Sequence, residues 1–311
     1  MTGLILWHII AAPRKLERKA MASKVNFRII GLFIFIILTW GLAWPINKIG
    51  LDYMTPLWYT AFRLIVGTLT MLAVVLTINK FTLPHRKDIP LLLIIGLLQI
   101  GLYVFLTNLG LAYIPAGRAS LLAYTTPLWV MPIAISFFGE KPGLLKWSGF
   151  LFGIAGLFIL LSPWELDWSD KNIIFGTAML LLASLSWAIS MLCARYMQWN
   201  KSPLELIPWQ LLLGTIPILV LAWATEPSMT FEWNSTLVLS LIYTGVLATG
   251  LSYWSGVIIN KELPTLAVSL GFLIIPILSL LISASFMQET INLATASAIG
   301  LILMGLICVI F

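Results

Sequence analysis

One charge, that of Arg63, falls well inside a long apolar run, about seven residues past its start. On insertion scales a charge at mid-membrane costs roughly 2.5–3.5 kcal/mol unless it finds water, a partner or a ligand. The planar guanidinium suits a carboxylate; the competing readings are snorkelling to the outer interface or pairing with Asp52. Asn47, Gln99, Asn108 and Gln210 also lie within apolar runs, where an unpaired amide is costly, and they are expected with Arg63 at a substrate site. Trp40, Tyr59, Tyr103, Tyr124, Trp187 and Tyr253 lie deep in the runs and would give such a site aromatic walls, through apolar contact and cation–π attraction. Thr125, Thr126, Ser184, Ser186, Ser190, Ser252 and Ser269 read as hydroxyls that join helices. Lys48 has Asp52 four residues later on the same helical face, so it reads as half of a solvated pair, or as part of an electropositive vestibule with Arg63 and Arg118.

Other chemistries lack their residues. All 12 Asp and Glu fall at the ends of apolar runs or between them, whereas a proton relay needs an embedded carboxylate or histidine. Glu140 and Glu289 come nearest, and capping or loop pairing is the expected role for each. His8 and His85 lie outside the runs, and Cys193 and Cys308 have no metal-ligand spacing, so no metal or cofactor is expected. No GxxxxGK[ST] phosphate loop occurs. An enzyme acting on lipid-linked substrates would need clustered His, Asp or Glu, and a channel would need pore-lining rings in an oligomer. Carriage of a small molecule down a gradient, or by exchange, fits better than either.

These residues must be positioned by membrane helices. The chain has 311 residues, 60% hydrophobic and only 10% charged, against roughly 25% charged in soluble domains. Its apolar runs approach the ~20 residues needed to cross a bilayer. Ten spans are expected, at roughly 29–50, 56–79, 89–113, 117–138, 144–162, 172–196, 203–224, 236–260, 264–287 and 291–311. Residues 1–28 precede them, and Met21 offers an alternative start to the chain. With the N-terminus inside, 14 basic residues fall on the cytoplasmic side and 3 (Lys48, Arg118 and Lys171) outside. That asymmetry places both termini in the cytoplasm of a cell membrane of bacterial inner-membrane type. Trp147, Trp164, Trp168, Trp199 and Trp233 are expected at the interfaces. Gly149 and Gly153 form a small-residue stripe for close helix contact, within the chain or between copies in a homodimer.

The chain also repeats itself. A shift of 147 residues superimposes Trp40 on Trp187, Lys48 on Arg195, Pro56 on Pro203, Arg63 on Gln210, Gly67 on Gly214 and Thr68 on Thr215. A shift of 149 superimposes Gly96 on Gly245, Gly101 on Gly250, Pro115 on Pro264, Pro127 on Pro276, Glu140 on Glu289 and Gly156 on Gly305. Two five-helix halves follow, 29–162 and 172–311. Five is odd, so the second half enters the membrane from the opposite side, an arrangement that puts a substrate site between the halves near the midplane. Pro127 and Pro276, at matched mid-span positions, are expected to kink their helices and let the halves rock.

The segments TWGLAWPINKIG, PLWYTAFRLIVG and YIPAGRASLLAYTTPLWVMPIAISFFGEK, and the second copy PTLAVSLGFLIIPILSLLISASFMQE, resemble EamA-type transporters of the drug/metabolite transporter superfamily. The second copy lacks the basic residue after its glutamate. The resemblance spans 29–311. It implies ten helices around a central cavity, and export of amino acids, related metabolites or amphipathic compounds by alternating access; import or exchange by the same carrier is the alternative.

Overall fold

The structure, a computed structural model, describes residues 27–165, 169–226, 231, 233–287 and 293–310. Met21, His8, Trp168 and Glu289 lie outside the described residues. Ten helical segments follow in order: α1 (Phe27–Leu51), α2 (Pro56–Thr77), α3 (Arg86–Tyr113), α4a (Ala116–Ala123) with α4b (Thr126–Phe138), α5 (Leu144–Leu161), α6 (Lys171–Tyr196), α7 (Pro203–Thr225), α8 (Ser235–Glu262), α9a (Thr265–Gly271) with α9b (Ile274–Met287), and α10 (Leu293–Ile310). Seven are long and apolar enough to cross a membrane, and α5, α9 and α10 are shorter apolar helices. The described residues contain no strand.

Local chemistry sets the ends. Pro56 and Pro203 open α2 and α7, where proline's missing N–H costs nothing. Ser202 and Glu205 cap α7 reciprocally, each side chain accepting from the other's backbone N–H. Gly139, at φ 65°, ends α4b in the left-handed region that favours glycine. The kinks expected at Pro127 and Pro276 prove to be full interruptions. The fourth helix stops at Tyr124–Thr125 and the ninth at Phe272–Leu273, and each proline stands in the first turn of the piece that resumes. A first-turn proline takes no hydrogen bond from its helix, whereas a mid-helix one would remove a bond and clash with the turn before it.

The halves interlock by exchange. The first helix of each half lies against the resumed piece of the fourth helix of the other: α1 on α9b, and α6 on α4b. The second helix of each packs on the third of the other: α2 on α8, and α7 on α3. At these crossings α3 and α8 widen into π-helical stretches, Ile94–Leu102 and Tyr243–Leu251, which coincide residue for residue at the 149 offset. Glycines permit the approach. A Cβ on Gly214 would stand 2.7 Å from the carbonyl oxygen of Gly96, and one on Gly67 would stand 2.7 Å from Cγ2 of Thr249.

Repeat-related residues also meet each other, as they must near a two-fold axis. The Thr68 and Thr215 hydroxyls are 3.1 Å apart, and the Trp40 and Trp187 ring centroids 5.4 Å. At the periphery α5 lies along α10, where a Cβ on Gly149 would come within 2.6 Å of the Gly305 carbonyl oxygen, and one on Gly156 within 2.7 Å of that of Ala298. The Gly149 and Gly153 stripe is therefore covered inside the chain, by α10 and by Leu270.

Candidate functional site

A cavity lies among α1, α2, α3, α4, α6 and α8, toward the end of the bundle where α1 finishes and α2 begins. It is open at its mouth, and its interior leaves about 40 Å³ for the centre of a water molecule. Arg63 enters from two turns inside α2 and is 6% exposed. Its Nε donates to the Thr249 hydroxyl at 2.7 Å and its Nη1 to Oδ1 of Asn47 at 3.3 Å. Both partners are neutral. Among the described residues the ion pair within 4.0 Å is Lys201–Glu205, on the helix-capping turn of α7, so Arg63 does not pair with Asp52. A buried guanidinium with five donors and two neutral acceptors keeps capacity for an anion.

Aromatic rings form the wall opposite. Trp40 meets Trp187 at 82° between planes and Tyr253 at 69°, Trp187 meets Tyr253 at 66°, and Tyr103 lies 4.6 Å from Trp187 between centroids. Edge-to-face contacts of this kind add about 0.5–1.5 kcal/mol each beyond area burial, which fixes the wall. The Trp40 indole N–H donates to the Ala248 carbonyl at 2.8 Å, inside the π-helical stretch of α8. Asn108 donates to the Thr60 hydroxyl at 2.8 Å. Tyr124 stands at the interruption of the fourth helix, its ring 6.2 Å from that of Trp44.

A family model describing the EamA-like transporter family matches residues 27–162 and again 174–311. The chain belongs to the EamA-like transporter family. Among relatives of this EamA-like transporter, the uncharacterised transporter YoaV of Bacillus subtilis is 25% identical, over 84% of this chain and 89% of that one. A probable amino-acid metabolite efflux pump of Salmonella typhimurium is 26% identical over 90% of this chain and 94% of its own. A probable terminal-alkyne amino-acid exporter of Streptantibioticus cattleyicolor is 23% identical over 82% and 84%. One solved crystal structure superimposes with a TM-score of 0.73 at 20% identity, covering 91% of this chain and 97% of that one, and supports the fold. The protein is thus a multi-pass membrane transporter of duplicated architecture.

Of the residues singled out in the sequence of this EamA-like transporter, Arg63, Trp40, Asn47, Tyr103, Asn108, Tyr124, Trp187 and Tyr253 line the cavity together. Tyr59, Gln99 and Gln210 do not. Tyr59 is buried against Gly50, with its hydroxyl 3.3 Å from that of Thr244. Gln99 lies in the π-helical stretch of α3 and offers its backbone carbonyl, not its amide, to the Tyr253 hydroxyl at 3.4 Å. Gln210 is wholly buried in α7 beside Gly96. Ala43, Trp44, Val104 and Thr107 complete the wall unforeseen, as does Thr126, read above as a helix-joining hydroxyl. Trp44 and Thr107 follow Trp40 and Tyr103 by four residues, a same-face spacing that could have found them.

The expected pairing of Lys48 with Asp52 is corrected. Lys48 donates to the carbonyls of Leu111 and Ala112 at 2.8 and 3.3 Å, in the last turn of α3. Its counterpart Arg195 donates to those of Asn260 at 3.3 Å and Leu263, where α8 ends. Each cation satisfies carbonyls that a helix C-terminus leaves without partners. Lys48→Met is expected to lower stability by about 1 kcal/mol, read as an earlier melt of purified protein in detergent, and Lys48→Arg to restore it.

Much of the cavity's polar lining has no polar counterpart at the repeat-related positions. The positions matching Trp44, Asn47, Asn108, Tyr124 and Thr126 are Met191, Ala194, Val257, Leu273 and Ile275, all at most 2% exposed. Gln210, matching Arg63, keeps an amide there, and neither of its polar side-chain atoms has a hydrogen-bond partner. Aliphatic or sulfur-bearing side chains thus fill five of the positions that match the cavity's polar and aromatic lining.

Proposed function

We propose that the protein is an alternating-access carrier that exports a small carboxylate-bearing metabolite, such as an amino acid or an amphipathic aromatic compound. The observation that carries this reading is the buried Arg63 guanidinium, held by neutral partners inside a cavity to which both halves contribute. Arg63 receives the carboxylate; Asn47 and Asn108 orient it; Trp40, Tyr103, Tyr124, Trp187 and Tyr253 hold the apolar body. Tyr59, Gln99 and Gln210 act from behind the wall, Gln210 meeting substrate when the opposite end opens. The two repeats, 29–162 and 172–311, rock against one another, and the interruptions beside Pro127 and Pro276 are the hinges. Both termini lie in the cytoplasm, so the cavity faces outward in this state. The efflux pump and exporter among the relatives support the outward direction.

Counterflow in proteoliposomes tests the carrier. Liposomes preloaded with unlabelled substrate are expected to accumulate labelled substrate transiently, because a carrier returns faster loaded than empty. Uptake indifferent to preloading would point to a pore. Reporter tags test the inversion, with Asp170 and the C-terminus expected on opposite sides of the bilayer. A shared side would end the two-repeat reading.

A further inference from the structure

We infer that the preferred substrate is an organic monoanion, a carboxylate on an aromatic or branched apolar body without an ammonium group. The inference rests on the carrier reading above and narrows it. Arg63 is the charged member of the cavity wall, and no aspartate or glutamate is among the lining residues. A bound carboxylate would neutralise the site. An α-ammonium, on the carbon next to the carboxylate, would then stand within a few ångströms of the guanidinium, with like charges facing in a medium that screens them poorly.

The wall also offers an ammonium little compensation. Oδ1 of Asn47, its best neutral acceptor, already receives a hydrogen bond from Arg63. The Asn108 amide nitrogen is a donor and is committed to Thr60. The other acceptors of the wall, Oδ1 of Asn108 and the Tyr103, Thr107, Tyr124 and Thr126 hydroxyls, are neutral, and aromatic faces are the further means of holding a cation. Here Trp40, Trp187 and Tyr253 are set edge-to-face upon one another, so that part of their face area is already met by a neighbour's positive edge. Electropositive edges and a guanidinium together make a site for an anion with a hydrophobic body.

Three probes of one shape separate the possibilities: 3-phenylpropanoate, phenylalanine and 2-phenylethylamine, which near neutral pH carry charges of minus one, zero and plus one. Binding is read on purified wild-type protein by tryptophan fluorescence, since Trp40, Trp44 and Trp187 line the cavity. The expected order is 3-phenylpropanoate first, phenylalanine at least about ten-fold weaker (1.4 kcal/mol), and phenylethylamine without saturable binding. Arg63→Gln is expected to abolish the preference, and Thr249→Val, which frees Nε of Arg63, to reduce it. The order in the unmodified protein decides the matter even if Arg63→Gln does not fold. Phenylalanine binding as tightly as 3-phenylpropanoate, and weakened by Arg63→Gln, would overturn the monoanion and leave the carboxylate carrier standing. Phenylethylamine binding tightest and indifferent to Arg63→Gln would overturn both. Failure of all three to bind would also overturn the monoanion, with counterflow of other metabolites then the separate test of the carrier.

Discussion

Arg63→Gln is expected to cut substrate uptake into proteoliposomes by about 100-fold or more while leaving the protein folded and no less heat-stable. Truncating one partner of a buried charged contact costs about 2–5 kcal/mol, and the low end of that range already approaches the stated loss. Stability should move the other way. In the substrate-free protein the guanidinium is buried against two neutral oxygens, and an unpaired charge at membrane depth costs about 2.5–3.5 kcal/mol. Glutamine keeps a donor for Asn47 or Thr249 and removes that charge. Activity and stability are therefore expected to part company, a pattern that a merely structural arginine would not give. Loss of both together, measured as uptake beside the detergent melt, would make Arg63 a packing residue and remove it from the site.

Gly214→Val is expected to destabilise the protein by about 3 kcal/mol, the upper end for overpacking. The Cβ would lie 2.7 Å from the carbonyl oxygen of Gly96, 2.8 Å from Cγ2 of Ile100 and 2.9 Å from the backbone nitrogen of Gly101. Two of these obstacles are backbone, which cannot swing aside as a side chain can. Relief requires α7 and α3 to separate, and that opens the crossing that joins the halves. Gly300 supplies the control within the same molecule. Nothing lies within 4 Å of a Cβ built there, and Gly300→Ala is expected to be neutral or mildly stabilising, as alanine is the better helix former. Equal melting shifts for the two variants would mean that the α3–α7 crossing is not close-packed.

The spans were legible because hydrocarbon demands long apolar runs, and the charges that interrupt them fall in the connections. The pairing of halves was legible through Gly and Pro, whose backbone constraints survive where one aliphatic residue replaces another. Rotation about each helix axis was not. Gln210 sits in a helix that is apolar all round, so no contrast of faces says which side meets the cavity and which meets protein. Lys48 misled for a different reason: Asp52 is its neighbour in sequence, but the carbonyls it finds belong to α3, 63 residues away. The π-helical stretches also escaped notice, because i→i+5 bonding requires no signature residue. One clue was present. Gly96 and Gly101, like Gly245 and Gly250, are five apart, a spacing that points about 140° apart on an ordinary α-helix. Yet both face α7, Gly96 at Gln210 and Leu213 and Gly101 at Gly214.

Those widened stretches bear on ancestry. Each occupies the same nine positions of its half, and independent insertions would have had to strike one register twice. It is simpler that a single five-helix ancestor already carried the bulge and that gene doubling copied it. Such an ancestor would have had to insert in both orientations and pair with its own inverted copy. On that account the two copies diverged afterwards, one carrying an arginine and the other a glutamine at the same place.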